Sequence, residues 1–252
     1  MIRYTDNGAA FVHSVKELKG AAPFDCRLIS LCRTYPPDLP FVDYWLILDK
    51  NGACTGAIAR NGAAFILCLT AESALTEVNA FLLMAGAKEV LCGDFSLSGF
   101  QTERAGVILQ AAKAVAYPQK PITEPSIRDA YAVLTACAGP HFVPPAWEDF
   151  FVDVNHKLRH GAMRLVGTEQ EGALAAVAMT VAEDEFAAVI GAVACHPAFR
   201  RTGCGSAVTA HLVHALSAEG KQVFVHRAAH ENAAFYAALG FEPIGRWREY
   251  AN

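Results

Sequence analysis

The same order of predicted secondary-structure elements occurs twice along this chain of 252 residues, and the repetition constrains the fold more than any other feature. Apolar runs bounded by turn residues predict strands in the first half at residues 43–49, 53–59, 63–69 and 88–93. Between the last two strands, a helix opens near Thr70 and ends at Gly86. The first half therefore reads as three strands, a helix and a further strand.

The second half repeats this order at greater length. Its strands are predicted at residues 162–167, 173–181, 187–195, 222–227 and 241–250. Its helices are predicted at residues 126–138, 147–158, 203–217 and 232–239. The pattern predicts an α/β chain in which a central mixed sheet is flanked by helices. It also suggests a tandem duplication whose first copy has decayed.

A domain junction is predicted between the two halves. The segment Tyr117-Pro118-Gln119-Lys120-Pro121 places two prolines and polar neighbours between regular patterns on either side. We therefore divide the chain into an accessory α/β domain at 1–117 and a second domain at 121–252. A chain of this length can supply two modest hydrophobic cores.

Charge and composition narrow the classes of partner. The formal net charge of −4 gives no general attraction to nucleic acid or to anionic membrane surfaces. The N-terminus lacks the order of a signal peptide, and no apolar run reaches spanning length, so we expect a cytoplasmic protein. The eight cysteines form no C-x-x-C pair and no zinc spacing, and we interpret them as reduced, mostly buried thiols without a metal. Oligomeric state is left open.

The segment with the most chemical information lies between a predicted strand and a predicted helix, at residues 193–206. It contains the pattern Arg200-x-x-Gly203-x-Gly205. Glycines allow a ligand to approach the backbone, and the first turn of a helix presents unpaired N–H groups at the positive end of its dipole. These features favour a pyrophosphate, which Arg200 and Arg201 could pair with and Ser206 could hydrogen-bond.

This segment resembles the acetyl-CoA-binding motif of the GNAT superfamily of N-acetyltransferases. The resemblance includes His196-Pro197, Phe199, the strand before them and the helix after them. A second GNAT-like motif follows at the expected distance, as Asn232-Ala233-Ala234-Phe235-Tyr236-Ala237-Ala238-Leu239-Gly240-Phe241. In the order of elements the resemblance covers about residues 121–250, and residues 1–117 could be a degenerate GNAT-like copy.

The resemblance implies roles for individual residues. The CoA pyrophosphate would be held by the loop, namely Arg200, Arg201, Thr202, Gly203, Cys204, Gly205 and Ser206. The pantetheine arm and the thioester carbonyl would meet the backbone of Val193, Ala194 and Cys195. Tyr236 would be the general acid that protonates the departing CoA thiolate. Asn232 would contact CoA, although many GNAT proteins place this asparagine one turn upstream, where this chain has Ala229.

The resemblance further implies direct transfer of an acetyl group from acetyl-CoA to a primary amine of a small molecule or peptide. The general base is not singled out by the sequence. Candidates cluster in two places, at Glu183, Asp184 and Glu185 and at His226, His230 and Glu231. We rank His226 and Glu185 first among them, and we assign His196 a structural role.

Two alternatives stay open at this point. The same loop would also serve a non-catalytic acyl-CoA-binding sensor, which would bind CoA without releasing thiol. The first half has no glycines at its own strand-to-helix join, Cys68-Leu69-Thr70-Ala71-Glu72-Ser73, so we expect it not to bind CoA. It would either wall the acceptor pocket or only stabilise the protein. We expect the acceptor to lie near Pro144, Pro145, Trp147 and Phe150.

Overall fold

The computed structural model describes residues 1–18, 20–112, 119–139, 142–229 and 232–252. The chain divides into two compact units that do not simply follow chain order. The first unit contains Met1–Ile108, His226–Glu231 and Pro243–Asn252, and the second contains Leu109–Val225 and Asn232–Glu242. Part of the junction predicted at 117–121 lies outside the described residues, and the division into domains at that point stays a prediction.

The first unit is a mixed sheet with three helices. Its elements are β1 (Ile2–Tyr4), α1 (Gly8–Lys16), α2 (Phe24–Thr34), β2 (Val42–Leu48), β3 (Cys54–Asn61), β4 (Ala64–Leu69), α3 (Leu75–Met84) and β5 (Glu89–Gly93). Strands β1 to β4 pair antiparallel in sequence order, and β4 pairs parallel with β5. A long strand, β6 (Gln101–Ala111), begins in this unit and ends in the second.

Alternation within strands and helical spacing explain the core of the first unit. Phe65, Leu67 and Leu69 are two residues apart on β4, so their side chains share one face of the sheet, and all three are buried. Val78 and Leu82 are four residues apart on α3 and share one face of that helix. The two faces pack together in one cluster, which is why the helix crosses back over the sheet here.

The second unit is also a mixed sheet flanked by helices. Its elements are α4 (Ile127–Ala136), α5 (Trp147–Arg159), β7 (Leu165–Gln170), β8 (Ala173–Glu183), β9 (Ala187–Cys195), α6 (Cys204–Ala218), β10 (Gln222–Ala228), α7 (Ala233–Ala238) and β11 (Phe241–Ala251). Strands β7, β8 and β9 pair antiparallel, and β9 pairs parallel with β10. The last strand returns to the first unit, where residues 247–251 pair antiparallel with β5.

The fold class predicted from the sequence is confirmed. One strand begins and ends three residues later than predicted, and several elements were not predicted. The strand expected at 162–167 is observed as Leu165–Gln170, because Ala162 still donates its N–H to Lys157 O and closes the end of α5. The hairpin turn moves accordingly to Glu171 and Gly172, which both have positive φ, as tight hairpins require. The sequence did not predict β1, α1, α2 or β6.

Two further observations concern the chain as a whole. All eight cysteines are free thiols, and five of them are buried. Within the described ranges, no helix combines the length and the apolar composition needed to cross a membrane.

Candidate active site

A β-bulge interrupts the strand that leads into the glycine-rich loop. Val177 of β8 pairs with Ala194, whereas Met179, two residues on, pairs with Gly191, three residues back. The extra residue lies on β9, where Ala192 has a left-handed φ of 47°. A bulge bends its strand and disrupts the ladder of backbone hydrogen bonds, so it re-aims the backbone that follows. Here that backbone is the stretch 193–195.

The other side of β9 loses its partner at nearly the same point. In the second unit, the parallel pairing of β9 with β10 runs from Ala187 with Gln222 to Ile190 with Val225 and ends there. Within this unit, residues 191–195 of β9 therefore have no partner on β10, although the stretch still pairs with β8 on its other side. Backbone groups in such a stretch can bond to a ligand.

The loop that follows has an unusual backbone. His196 caps a short 3₁₀ helix, Pro197–Phe199, by accepting a hydrogen bond from Ala198 N at 3.3 Å. Arg201 and Gly203 then adopt left-handed φ values of 66° and 86°. The first of these is unfavourable for a residue with a side chain, and strained backbone of this kind concentrates at functional sites.

Helix α6 begins at Cys204 directly after this turn, without a capping side chain. Its N-cap residue is Gly203, which has no side chain to cap the helix, and the N–H of Gly205 in the first turn donates to the Cys195 sulfur. The first N–H groups of a helix have no partner inside the helix. Arg200 and Arg201 are exposed beside them, and neither forms an ion pair with any residue that the structure describes. The turn thus combines N–H groups that have no partner inside the helix with positive charge that no ion pair among the described residues neutralises.

Three side chains at the loop have structural contacts. The Thr202 hydroxyl donates to Phe199 O at 2.7 Å, and the fully buried Cys204 thiol donates to Gln170 Oε1 at 3.2 Å. The Cys137 thiol donates to Cys195 O at 3.2 Å. These contacts hold the loop and the strand end in place, so Cys204 can offer a ligand only its backbone.

Gly205 is the point at which three elements meet. A Cβ added to it would lie 3.8 Å from Cys195 Cβ at the end of β9 and 3.7 Å from Phe235 Cε2 on α7. The strand end, the start of α6 and the start of α7 therefore line one small region. Sequence reasoning placed the loop and Tyr236 there by resemblance and overlooked Phe235, whose signal was only an aromatic residue next to the expected tyrosine.

Comparisons with known proteins bear on the fold. Residues 165–251 match the family model described as FR47-like protein. No curated protein sequence matches the chain. Among solved structures, a tandem GNAT protein from the clavulanic acid biosynthesis pathway is 16% identical, with a TM-score of 0.60 over 100% of this chain and 98% of that one.

Two further structures are similar over the full chain. A protein from Drosophila is 12% identical with a TM-score of 0.70, and 98% of that chain is covered. A GCN5-related N-acetyltransferase from Sphaerobacter thermophilus is 14% identical with a TM-score of 0.60, and 95% of that chain is covered. The chain has the GNAT fold. The tandem arrangement expected from the repeated order of elements is supported by the first of these structures.

In the GNAT fold of this chain, Asn232 is the N-cap residue of α7, and Tyr236 lies one turn later in the same helix. The Tyr236 side chain is buried, and its ring contacts Phe235 and Phe241 edge-on, with centroid distances of 5.0 Å and 5.5 Å. Asn232 is exposed with a left-handed φ of 54°, and its side chain does not cap the helix. Tyr236 N donates to Asn232 O, which fixes the two residues one helical turn apart.

Glu183 and Asp184 of the acidic hairpin at 183–185 are engaged in hydrogen bonds within the fold. Glu183 accepts bonds from Arg164 at 2.7 Å and Lys221 at 2.6 Å, and Asp184 Oδ1 accepts the N–H groups of Phe186 and Ala187. Both carboxylates therefore have structural partners. Glu185 is exposed at the turn. His230 and Glu231 lie outside the described residues.

His226, the other candidate base, belongs to the first unit. Its ring stacks on Trp247 at 5.7 Å and lies 5.4 Å from the ring of Phe24. Burial, aided by the charge of Arg27, holds the pKa of His226 well below its ordinary value. The imidazole is therefore neutral and weakly basic. Its role as a base stays a prediction.

Proposed function

We propose that this protein is an acyl-CoA-dependent N-acetyltransferase, which transfers an acetyl group from acetyl-CoA to a primary amine by direct attack. The observation that carries the proposal is the meeting at Gly205 of an uncapped helix start, a bulged strand end and the start of α7. In the reaction, the amine nitrogen bonds to the thioester carbonyl carbon and the carbon–sulfur bond breaks. The nitrogen loses one proton and the sulfur gains one.

The loop would bind the CoA pyrophosphate. The amides of Arg201, Thr202, Gly203, Cys204, Gly205 and Ser206 would surround the phosphate oxygens, with Arg200 and Arg201 supplying charge. Two features support this assignment: the first turn of α6 has no side-chain cap, and both arginines lack ion-pair partners in the described chain. Oxygens of a bound phosphate are the acceptors that such N–H groups require.

The strand end would hold the pantetheine arm and orient the thioester. The bulge at Ala192 supports backbone contacts by Val193, Ala194 and Cys195, because it re-aims this stretch beyond the end of the pairing with β10, while Ala194 and Cys195 stay paired with β8. An N–H group directed at the thioester carbonyl would stabilise the negative charge that develops on its oxygen. The thiol of Cys195 takes no part, since burial raises its pKa and it donates to Phe199 O.

Tyr236 would protonate the leaving thiolate. A Cβ added to Gly205 would lie 3.7 Å from Cε2 of the neighbouring Phe235, which supports a location of α7 next to the proposed CoA loop. A phenol within hydrogen-bond reach of the sulfur would supply the proton as the carbon–sulfur bond breaks. Asn232 would contact CoA from the same helix start.

The acceptor is proposed only by class, as a primary amine on a small molecule or peptide in the cytoplasm. Glu185 and His226 remain the proposed bases. Of the four residues expected near the acceptor, Phe150 is buried in the core of the second unit, so Pro144, Pro145 and Trp147 are the better candidates.

Calorimetric titration with acetyl-CoA, followed by thiol release against a panel of primary amines, tests this function. We expect binding, and release that requires one of the amines. Binding without release for any amine would instead support a non-catalytic acyl-CoA sensor that uses the same loop. Absence of binding would contradict both functions, because both depend on residues 200–206.

A further inference from the structure

Two buried nitrogen atoms in the first unit have no hydrogen-bond partner among the described residues. They are Nε of Arg27 on α2 and Nε2 of His226 on β10. Buried polar groups without partners are costly and rare, so each requires a specific explanation. Arg27 also lowers the pKa of His226, which indicates that the two side chains are close enough to interact electrostatically.

Arg27 carries a charge that its surroundings do not neutralise. Burial lowers its pKa to about 10, which leaves the guanidinium charged at neutral pH. The carboxylate of Glu249 acts on it electrostatically, but both oxygens of Glu249 are bonded to Arg104, each at 2.9 Å. Within the described ranges, the Arg27 side chain forms no ion pair or hydrogen bond.

His226 contributes a hydrogen-bonding group without adding charge. Its pKa lies well below the ordinary value, chiefly because of burial, so the ring is neutral near pH 7. The ring stacks on the ring of Trp247 and makes a tilted contact with the ring of Phe24. Trp247 Nε1 already donates to Arg227 O at 3.2 Å, so it is engaged elsewhere. The site therefore has one net positive charge and aromatic walls.

Arg27 and His226 are half-buried, and each keeps a minor part of its surface exposed. The two unpartnered nitrogen atoms themselves lie below that surface. A ligand that bonds to them must therefore displace the atoms that cover them.

We propose that Arg27 and His226 form a binding site for a small ligand that carries one carboxylate. The planar guanidinium matches a carboxylate with two parallel N–H bonds, and a neutral imidazole can donate a third. The single charge of the ligand would neutralise the single unpaired charge of Arg27. Phe24 and Trp247 would contact its apolar part. The proposal concerns the first unit alone and does not depend on acyl transfer.

The test is calorimetric titration of the whole protein, without CoA, using acetate, glycine and benzoate at fixed ionic strength. Sodium chloride serves as the reference salt and inorganic phosphate as the dianionic probe. We expect at least one of the carboxylates to bind, and Arg27→Met to weaken that binding by tenfold or more. Arg27→Lys keeps the charge without the planar fork and should give an intermediate loss.

Arg248→Met is the matched control, because Arg248 is in the same unit but is already bonded to Asp94 at 2.8 Å. It should leave carboxylate affinity unchanged. The proposal is overturned if none of the three carboxylates binds the wild-type protein, if Arg27→Met or Arg27→Lys binds them as well as wild type does, or if phosphate binds and the carboxylates do not. A higher melting temperature for Arg27→Met would support it, since removal of an unpaired buried charge stabilises a fold that keeps the charge for a ligand.

Discussion

Each unit contains a strand, a helix and a second strand parallel to the first: β4, α3 and β5 in the first unit, and β9, α6 and β10 in the second. In the first unit, β4 pairs with β3 without a register shift, and the chain enters α3 through a short 3₁₀ helix, Glu72–Ala74. In the second unit, β9 contains a bulge and the chain enters α6 through left-handed Gly203.

We call the join between β4 and α3 the first junction and the join between β9 and α6 the second junction. The two junctions differ in the charge of the residues at the helix start. Glu72 places a carboxylate in the 3₁₀ helix of the first junction and Glu77 places another in the first turn of α3, where the helix dipole favours negative charge. The second junction has no acidic residue in the first turn of α6, and it adds Arg200 and Arg201. The comparison indicates that the same order of strand, helix and strand can begin its helix with an acidic residue or with an uncapped turn beside two arginines, which is the proposed anion site.

Tyr236→Phe is expected to have the largest effect, because it removes the proposed acid from the unit that has the proposed anion site. Turnover should fall by about 10²-fold to 10⁴-fold, which is the usual contribution of general acid catalysis. Affinity for acetyl-CoA should stay nearly unchanged, since the loop is intact. Steady-state kinetics with calorimetry on the same preparation measure both quantities.

The matched control for this change is Tyr250→Phe in the first unit. Tyr250 is buried and donates to Phe95 O at 2.6 Å, so its loss should cost about 1 kcal/mol of stability and leave turnover unchanged. Equal turnover in Tyr236→Phe and wild type would remove Tyr236 from the mechanism.

Gly205→Ala should separate binding from folding at the second junction. The new Cβ would make only ordinary contacts, at 3.7 Å and 3.8 Å, and alanine favours a helix by about 0.5–1 kcal/mol over glycine. We expect a melting temperature at or above that of wild type, together with an affinity for acetyl-CoA about tenfold lower, or 1.4 kcal/mol. The loss would arise because the methyl group occupies space next to the proposed phosphate.

Gly245→Ala, on β11 in the first unit, is the corresponding control, with one contact at 3.5 Å. It should not change acetyl-CoA affinity. Unchanged affinity in Gly205→Ala would place the phosphate elsewhere.

The sequence predicted those parts of the fold and site that depend on local pattern. The spacing of Arg200, Gly203 and Gly205 after an apolar strand located the turn, and alternation located most strands. Local pattern could not predict the bulge at Ala192, because alanine rarely adopts a positive φ and only the pairing with β8 requires it. Nor could it predict that Cys137 bonds to Cys195 O, since the two residues are 58 positions apart.

The environment of His226 shows the same limit. As a sequence feature, it was one histidine in an alternating strand, equally suited to a surface or a core. The rings that hold it, Phe24 and Trp247, come from opposite ends of the chain. Their effect on its pKa therefore depends on tertiary packing that no short window contains.

Stoichiometry tests whether the two junctions differ as described. We expect one acetyl-CoA per chain, because the first junction has Glu72 and no glycine where phosphate would lie. The molar ratio from calorimetric titration measures this directly. Glu72→Ala, which removes the carboxylate but adds no glycine turn, should leave the ratio at one. A ratio of two in the wild-type protein would show that the first junction also binds CoA.

The smallest expected effect concerns the opposite end of α6. Arg164 bonds to Glu219, and this bond, together with one from Lys221, holds the pKa of Glu219 at about 2, below its ordinary value of 4.5. A carboxylate whose pKa is lower in the folded chain stabilises the fold above about pH 4.5, and this contribution is lost as the pH falls towards 2. Because Glu219 is largely exposed, Glu219→Gln should cost less than about 1 kcal/mol at pH 7. Urea unfolding at pH 7 and pH 3 measures the cost, which should be smaller at pH 3. A cost that does not change with pH would mean that the ion pair does not stabilise the fold and that packing explains the loss.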